Sequence, residues 1–124
     1  MAEADRAFRA YIRQRDVKEP CICCGSWEGP WDAGHFLSVG SHPELRYEER
    51  NCHRQRSACN RGAAKSKRND RTVSQRYREG LIQRIGLHSV EWLEGPHPAA
   101  HFTADELRHI RDTYRRLTRE ARKA

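Results

Sequence analysis

The sequence has no long hydrophobic run, because charged residues interrupt it throughout. Asp, Glu, Lys and Arg make up 33% of the 124 residues, and hydrophobic residues 36%. A membrane-spanning helix needs about 20 consecutive apolar residues, so the sequence excludes one, and it also excludes the apolar stretch of a secretory signal. The length suits one ordinary domain and argues against separate cofactor and substrate lobes. We expect one domain over residues 1–124, in the cytoplasm and away from membranes.

Cysteine is scarce and odd in number, with Cys21, Cys23, Cys24, Cys52 and Cys59. A disulfide framework uses paired cysteines in an oxidising compartment, so a metal site in a reducing compartment explains these residues better. Cys21 and Cys24 have the C-x2-C spacing at which two thiolates turn toward one metal ion. Two alternatives are that the cysteines are small buried hydrophobic residues, or that Cys23 and Cys24 form a thiol redox switch.

A structural zinc takes four ligands, and a second pair one helical turn apart usually completes its site. Cys59 offers one member of such a pair, but Arg56 stands where its partner is expected, and a guanidinium cannot bind a cation. Cys52, His53 and Cys23 are the candidates for the fourth place. Cys23 is discounted because its side chain should diverge from that of its neighbour. We favour Cys52, which is within reach if the chain between it and Cys59 starts extended.

Acidic residues are rare in the middle of the chain. Residues 51–85 carry 10 basic and 2 acidic side chains, whereas residues 1–50 carry 7 and 9, and residues 86–124 carry 7 and 6. A block of one sign is typical of a surface that binds a polyanion, while an ordinary solvated face would mix the signs. We expect this block to contact the backbone of a nucleic acid without reading the base sequence. The residues assigned to these contacts are Arg54, Arg61, Lys65, Lys67, Arg68 and Arg71.

Helical patterns mark both ends of the chain. Apolar residues repeat at helical spacing from Ala4 to Ile12 and predict a helix of about three turns. Asp70 is expected to cap a second helix, which Gly86 ends. Thr103 and Glu106 form a capping box at the start of the last helix.

Between these helices, glycines, prolines and cysteines indicate loops and short strands. We predict one strand around Trp31–Leu37 and another around Leu45–His53, joined by the turn-forming stretch Gly40–Pro43. The predicted fold is therefore a small α+β domain with a zinc-stabilised ββα core. This core is placed at residues 20–69, with helical flanks at residues 3–16 and 70–122.

His35 lies at the end of the first predicted strand and is followed, in order, by a turn, Asn51 and Asn60. This is the order of a ββα-metal nuclease site, where a histidine activates water, an asparagine orients it, and a residue at a helix start holds a divalent cation. Asp32 is a further candidate metal ligand, although on a regular strand it would face away from His35. His53 has three open roles: structural residue, fourth zinc ligand or second active-site group.

Several short motifs of the chain also occur together in one family. In order, they are Pro20-Cys21-Ile22-x-Cys24-Gly25, Trp31-Asp32-Ala33-Gly34-His35-Phe36, Pro43-Glu44-Leu45-Arg46-Tyr47, Glu49-Arg50-Asn51-x-His53-x-Gln55, Cys59-Asn60 and Tyr77-Arg78-x-x-Leu81-Ile82-x-Arg84-Ile85-Gly86. By these motifs the chain resembles the lambda-type phage NinG (Rap) recombination endonucleases, which are zinc-containing HNH, or His-Me finger, nucleases. The resemblance runs from about Ala7 to the last helix.

The resemblance implies a metal-dependent endonuclease that cuts branched DNA such as Holliday junctions and D-loops. It implies a structural Zn²⁺ and a catalytic Mg²⁺ or Mn²⁺. The roles it implies are zinc ligand for Cys21, Cys24 and Cys59, general base for His35, orienting residue for Asn51, and ligand of the catalytic cation for Asn60. The chain departs from the family pattern at Arg56, where the family has cysteine, and at Lys65–Asp70, where a basic stretch replaces Ser-Gly-Asn.

The implied partners are branched DNA, phage or host recombination proteins and, if the cuts are paired, a second copy of the chain. The host cytoplasm is the implied location. The alternative function is that of a non-catalytic zinc-containing module that binds DNA or DNA junctions.

Overall fold

The fold contains a two-stranded antiparallel sheet with helices on both faces. The computed structural model describes residues 1–61, 67–68 and 71–123. Strand β1 (Trp31–His35) pairs with strand β2 (Cys52–Arg56), and the register places Gly34 opposite His53. Helix α2 (Ser57–Arg61) follows β2 without a loop. The order β1, β2, α2 therefore brings the start of a helix next to both strands.

Helix α1 (Ala2–Arg15) covers one face of this sheet. The predicted apolar stripe is buried: Phe8 and Ile12 pack with Ala33 of β1 and Cys52 of β2. Helix α5 (Ala104–Lys123) packs on α1, and the ring of Tyr114 lies 4.9 Å from that of Phe8, centroid to centroid. Helix α1 is thus held between the sheet and α5.

The predicted capping box of the last helix is confirmed. The hydroxyl of Thr103 accepts from the backbone N–H of Glu106 at 3.1 Å, and the Glu106 carboxylate accepts from the Thr103 N–H at 3.0 Å. These two bonds satisfy amides that have no partner within the helix.

Helix α3 (Val73–Ile85) covers the other face of the sheet, and helix α4 (Leu87–Glu94) packs beside it. The hydroxyl of Tyr77 donates to the backbone carbonyl of Gly34 at 2.5 Å and so ties α3 to β1. A second apolar cluster fills this side. Its buried members are Ile22, Leu45, Tyr77, Leu81, Val90 and Leu93.

The ends of α3 agree only in part with those predicted from the sequence. Gly86 ends the helix, as predicted, with a φ of 88° that favours glycine. The cap at the start is Thr72, which forms a capping box with Gln75, while Asp70 lies outside the described residues. A short hairpin, β3 (Lys67–Arg68) with β4 (Arg71–Thr72), precedes the helix. Helix α4 was not predicted as a separate helix.

The second strand lies later in the chain than the sequence predicted. Residues 45–53 were expected to form it, but this stretch contains the end of one short 3-10 helix, Pro43–Leu45, and all of another, Glu49–Asn51, and only its last two residues belong to β2. The side chains of Arg46 and Tyr47 both bind Asp5 of α1, which holds the segment against that helix. Apolar spacing in this stretch therefore reflects packing on α1 and α4 and not a strand.

The architecture is a small mixed α/β fold in which helices cover both faces of a two-stranded sheet. None of the helices in the described part of the chain has the length and apolar character needed to cross a bilayer.

Candidate functional site

Three cysteines from two distant parts of the chain converge. The sulfur atoms of Cys21, Cys24 and Cys59 all lie within 4.8 Å of one another. Cys21 and Cys24 belong to a tight turn in which the Gly25 N–H donates to the Cys21 carbonyl at 3.0 Å, and Gly25 has a φ of 72°. Cys59 comes from α2. The predicted grouping of these three residues is therefore present.

The surroundings of Cys21 favour a metal-binding thiolate. The N–H of Arg56 points at the Cys21 sulfur from 3.3 Å. Hydrogen bonds, first from the Cys23 thiol and then from backbone amides, lower the pKa of Cys21. Zinc binds thiolates at about 2.3 Å, in sites where backbone amides often bond the sulfurs. Three clustered cysteine sulfurs with an amide donor thus fit a zinc ion, which binds cysteine as the thiolate, and the described His, Cys, Asp and Glu residues add no fourth member.

The structure does not bring Cys52 to this group, which corrects its assignment as the fourth ligand. Cys52 begins β2 and is fully buried with Phe8 and Ile12 on the α1 side of the sheet. It lies four residues from Arg56, which is about 13 Å along a strand. Burial raises the pKa of Cys52 to about 12, so the residue is a neutral thiol in an apolar core.

His53 and Cys23 are not members of the three-cysteine group, although the Cys23 thiol hydrogen-bonds Cys21. The ring of His53 packs edge-on against Tyr77, and burial lowers the pKa of His53 to about 3, so its imidazole is neutral. Of the three roles left open for His53, this position fits the structural one. Cys23 diverges as predicted: its sulfur accepts from the side-chain amide of Gln55 at 3.0 Å.

His35 is held at the end of β1 by one strong contact. Its Nε2 lies 3.0 Å from the backbone carbonyl oxygen of Arg46. Because a carbonyl only accepts, Nε2 must carry the hydrogen, and Nδ1 is left as the basic nitrogen. Burial lowers the pKa of His35, and the positive charge of Arg9 lowers it further. The side chain is therefore a neutral imidazole with a fixed tautomer.

Asn51 fixes the backbone that follows His35. Its side chain is fully buried, accepts from the N–H of Leu37 and donates to the Leu37 carbonyl, both at 3.0 Å. The Asn51 carbonyl also accepts from the N–H of Phe36 at 2.8 Å. Asn51 therefore acts on His35 through the main chain, and its side-chain amide is already occupied.

Asp32 and Asn60 contact each other on the opposite side of β1. One carboxylate oxygen of Asp32 accepts from the side-chain nitrogen of Asn60 at 3.0 Å, and the other accepts from the Ser57 hydroxyl at 2.8 Å. The bond from its nitrogen leaves the amide oxygen of Asn60 available as a ligand. Both side chains contact solvent. The start of α2 is thus fastened to β1 through Asp32.

An open cleft of about 550 Å³ wraps the free edge of β1 and joins these groups. Its polar walls include His35 from one face of the strand, and Asp32 and Asn60 from the other. Arg9 and Arg13 of α1 also line it. These two arginines were not predicted from the sequence as site residues. Their signal is a four-residue helical spacing, but only the fold shows that α1 lies beside β1.

Gly34 leaves no room for a side chain directly before His35. A Cβ atom at this position would overlap the side-chain oxygen of Gln55 and lie 3.2 Å from the side-chain oxygen of Asn60. The place of a side chain at residue 34 is therefore taken by Gln55. Oxygen ligands for a cation in this cleft therefore come from the side chains of Asp32 and Asn60 and not from residue 34.

The six basic residues assigned to DNA differ in where they lie. Arg54 is buried: its guanidinium donates to the Glu19 carbonyl at 2.6 Å and stacks 3.7 Å above the Trp31 ring. This corrects its assignment, because a guanidinium buried against Trp31 cannot contact a phosphate. Arg61 is exposed, and Arg71 is exposed but paired with Glu79 at 2.5 Å. Lys65 and the side chains of Lys67 and Arg68 lie outside the described residues.

The sequence of the chain is similar to one family of phage proteins. The family described as "Bacteriophage Lambda NinG protein" matches residues 1–124. The chain is 36% identical over 121 residues to "Protein ninG" of Salmonella phage P22 and to the protein of the same name in Escherichia phage lambda. A third relative, from Escherichia phage 933W, is also 36% identical.

These alignments take in 97% of this chain, and 56% of the P22 and lambda proteins and 57% of the 933W protein. The chain thus spans a little over half the length of the curated relatives that it matches. No solved structure matches the chain. The family match over all residues and the identity to three phage relatives agree: the chain belongs to the NinG family of lambdoid phage proteins.

Proposed function

We propose that the chain is a metal-dependent DNA endonuclease of the His-Me finger, or HNH, type. The observation that carries the proposal is that His35, Asp32 and Asn60 line one cleft around a β1-β2-α2 unit. The cleft therefore combines a neutral imidazole with oxygen ligands for a cation. Arg9 and Arg13 give it a positive wall that suits the anionic phosphodiester.

In this proposal, His35 is the general base. The Arg46 carbonyl holds Nε2–H, so Nδ1 takes a proton from water. The water oxygen forms a bond to phosphorus while the bond to the 3′ oxygen breaks in line. The 3′ oxygen leaves and takes up a proton, so the products are a 5′-phosphate and a 3′-hydroxyl. Asn51 is a positioning residue, because it fixes the backbone of Leu37, two residues after His35.

Asn60 and Asp32 fit a divalent cation, because Mg²⁺ and Mn²⁺ prefer oxygen ligands and Mg²⁺ needs few from the protein. The amide oxygen of Asn60 is directed by the bond from its nitrogen to Asp32. When bound, such a cation supplies positive charge that stabilises the scissile phosphate and the leaving oxygen. Asp32 either shares the cation or holds Asn60 in place, and both roles need its carboxylate.

The three-cysteine group fits a structural zinc that fastens α2 to the turn before β1. Asn60 directly follows Cys59, so the position of the proposed cation ligand depends on this group. The zinc is thereby linked to the cleft through the chain itself.

The proposed substrates are branched recombination intermediates, namely Holliday junctions and D-loops. This choice rests on the resemblance to recombination endonucleases and on family membership. Cutting a junction on two strands requires two active sites that face each other, so we include a homodimer in the proposal. Phage or host recombination proteins are the proposed partners.

A nicking assay tests the proposal. A labelled four-way junction and a linear duplex of the same length are incubated with the protein in Mg²⁺, in Mn²⁺ and in EDTA. We expect cutting of the junction with either cation, slower cutting of the linear duplex, and none in EDTA. Asn60→Ala should lose activity that high Mg²⁺ partly restores, whereas Asn60→Asp keeps an oxygen ligand and should stay active. Tight junction binding without cutting under any condition would instead identify a non-catalytic binding module.

A further inference from the structure

Six arginines on helices α1 and α5 are exposed and make no ion pair with any described residue. They are Arg6, Arg9, Arg13, Arg115, Arg119 and Arg122. Several other arginines are engaged: Arg46 binds Asp5 at 2.9 Å, and Arg78 binds Glu94 at 2.8 Å. Arg61 is also exposed and makes no ion pair with a described residue, but it lies on α2 and not on these two helices. The six residues thus form a distinct set, which we call the arginine track.

The track is continuous across the two helices. Residues 6, 9 and 13 recur at helical spacing along α1, as do residues 115, 119 and 122 along α5. A groove of about 310 Å³ between the helices is lined by Arg6 on one side and by the three α5 arginines on the other. Arg9 and Arg13 line the cleft of His35. The α1 arginines therefore connect the cleft to the groove.

Few acidic groups neutralise this surface. Glu3 is the acidic residue among those lining the groove, and it binds Arg111. Elsewhere on α5, Arg116 pairs with Glu120, and Asp112, whose pKa is lowered first by Arg111 and also by the charge of Arg115, binds Arg111. Like charges three or four residues apart destabilise a helix by about 0.2–0.5 kcal/mol per pair. A face selected for stability alone would intersperse acidic residues, so the track points to an external anion.

The floor of the groove offers a further hydrogen-bonding group. Thr118 is buried, and its hydroxyl oxygen makes no hydrogen bond within the described part of the chain. It lies among the groove residues together with Ala7 and Ala10, whose small side chains leave room above the floor. An anion seated there would find guanidinium donors on both walls and a hydroxyl below.

We propose that the groove between α1 and α5 binds the phosphate backbone of DNA, as a continuation of the strand that enters the His35 cleft. The inference rests on the proposed function. From Arg6 to Arg13 the helix rises about 10 Å, which is close to three nucleotides at about 3.4 Å each along one strand. Guanidinium groups suit phosphate because they can donate two parallel hydrogen bonds to it. The track gives affinity and register without base readout.

The test compares two double variants of the full chain that lose equal charge on the same helix. Arg115→Ala with Arg119→Ala removes two groove residues, and Arg108→Ala with Arg116→Ala removes two residues that pair with Asp105 and Glu120. Binding to a labelled four-way junction is measured in EDTA over a range of salt concentrations. Thermal melting of each variant checks that it folds.

The groove variant should bind about tenfold more weakly, and the slope of log K against log salt should decrease by about 1–2, since each lost phosphate contact accounts for about 0.9. The control variant should keep the wild-type slope to within about 0.5. Equal slopes for the two variants would overturn the inference while leaving the nuclease proposal intact. A smaller slope in the groove variant, together with a wild type that binds the junction but never cuts it in Mg²⁺ or Mn²⁺, would support the groove and refute the nuclease. No DNA binding by the wild type would refute both.

Discussion

The backbone carbonyl of Arg46 lies 3.0 Å from Nε2 of His35, and the guanidinium of the same Arg46 is fixed by two 2.9 Å bonds to Asp5. A carboxylate near the start of α1 thus holds the residue that sets the tautomer of the proposed base. The contact also changes the charge around His35, because Asp5 raises the pKa of His35 against the larger effect of burial.

Asp5→Asn should therefore act as a positioning variant. We expect kcat for junction cutting to fall about tenfold, since small displacements of a catalytic group are costly, with KM for DNA unchanged. The apparent pKa of the base should also decrease, because the negative charge of Asp5 is lost. Glu3→Gln is the matched control, as Glu3 binds Arg111 on α5 and not the His35 segment. An equal effect of both variants, or an unmoved pH profile in Asp5→Asn, would mean that Asp5 only stabilises the fold.

The pH dependence of cutting follows from the lowered pKa of His35. The base works when neutral, so the rate should be constant above its pKa and decrease as the pH falls through it. Because burial places this pKa below the ordinary value of 6.5, half of the maximal rate should be reached below pH 6.5. Single-turnover rates at saturating Mg²⁺ measure this, with melting curves at each pH as the control for unfolding. A half-maximal rate above pH 6.5 would contradict the assignment of the environment of His35.

Chelation and the substitution of two neighbouring cysteines test the proposed zinc site. Metal analysis should find about one zinc per chain, and Cys24→Ser should lose it and unfold, because the binding energy of a structural zinc contributes to folding. Cys23→Ser is the control, since Cys23 is not one of the three converging cysteines and serine keeps both a donor toward Cys21 and an acceptor for Gln55, so this variant should keep its zinc. Arg56→Cys adds the missing family cysteine and should tighten zinc binding. A melting temperature that EDTA leaves unchanged would argue against a structural zinc.

Arg54 and Arg61 should separate stability from DNA contact. Arg54→Ala removes a charged hydrogen bond and a stacking contact, and such losses together cost about 2–4 kcal/mol of the free energy of unfolding. Arg61→Ala removes an exposed side chain beside Asn60. Its melting temperature should therefore be unchanged, while its affinity for the junction should fall because a phosphate contact is lost. These effects are read by denaturant unfolding and by binding titrations. If Arg54→Ala kept full stability and lost only affinity, the buried position of Arg54 would be wrong.

The sequence predicted those features that depend on local spacing. The C-x2-C turn, the stripe of α1 and the capping box at Thr103 are all set by residues a few positions apart. The order of His35 and Asn60 was enough to place both in one cleft, because a β1-β2-α2 arrangement brings the helix start to the strand.

The features that could not be predicted from the sequence are those that depend on long-range packing. Arg54 looked like part of a basic surface, yet Trp31 and Glu19 cover it. The segment around Arg46 and Tyr47 looked like a strand, but it is held by Asp5, 41 and 42 residues away in the chain. The arginine track was also not visible, since its two halves meet only when α5 packs on α1.

The most direct test of the central claim compares three histidines in one junction-cutting assay. His35→Ala should bind a four-way junction almost normally and cut it at least about 100-fold more slowly, since loss of a positioned base typically costs about 10²–10⁴-fold. His109→Ala changes an exposed residue of α5 and should cut at the wild-type rate. His53→Ala lowers stability, but the protein that remains folded should still cut. If His53→Ala abolishes cutting by folded protein while His35→Ala leaves the rate intact, His35 is not the base, and the account of the cleft is wrong.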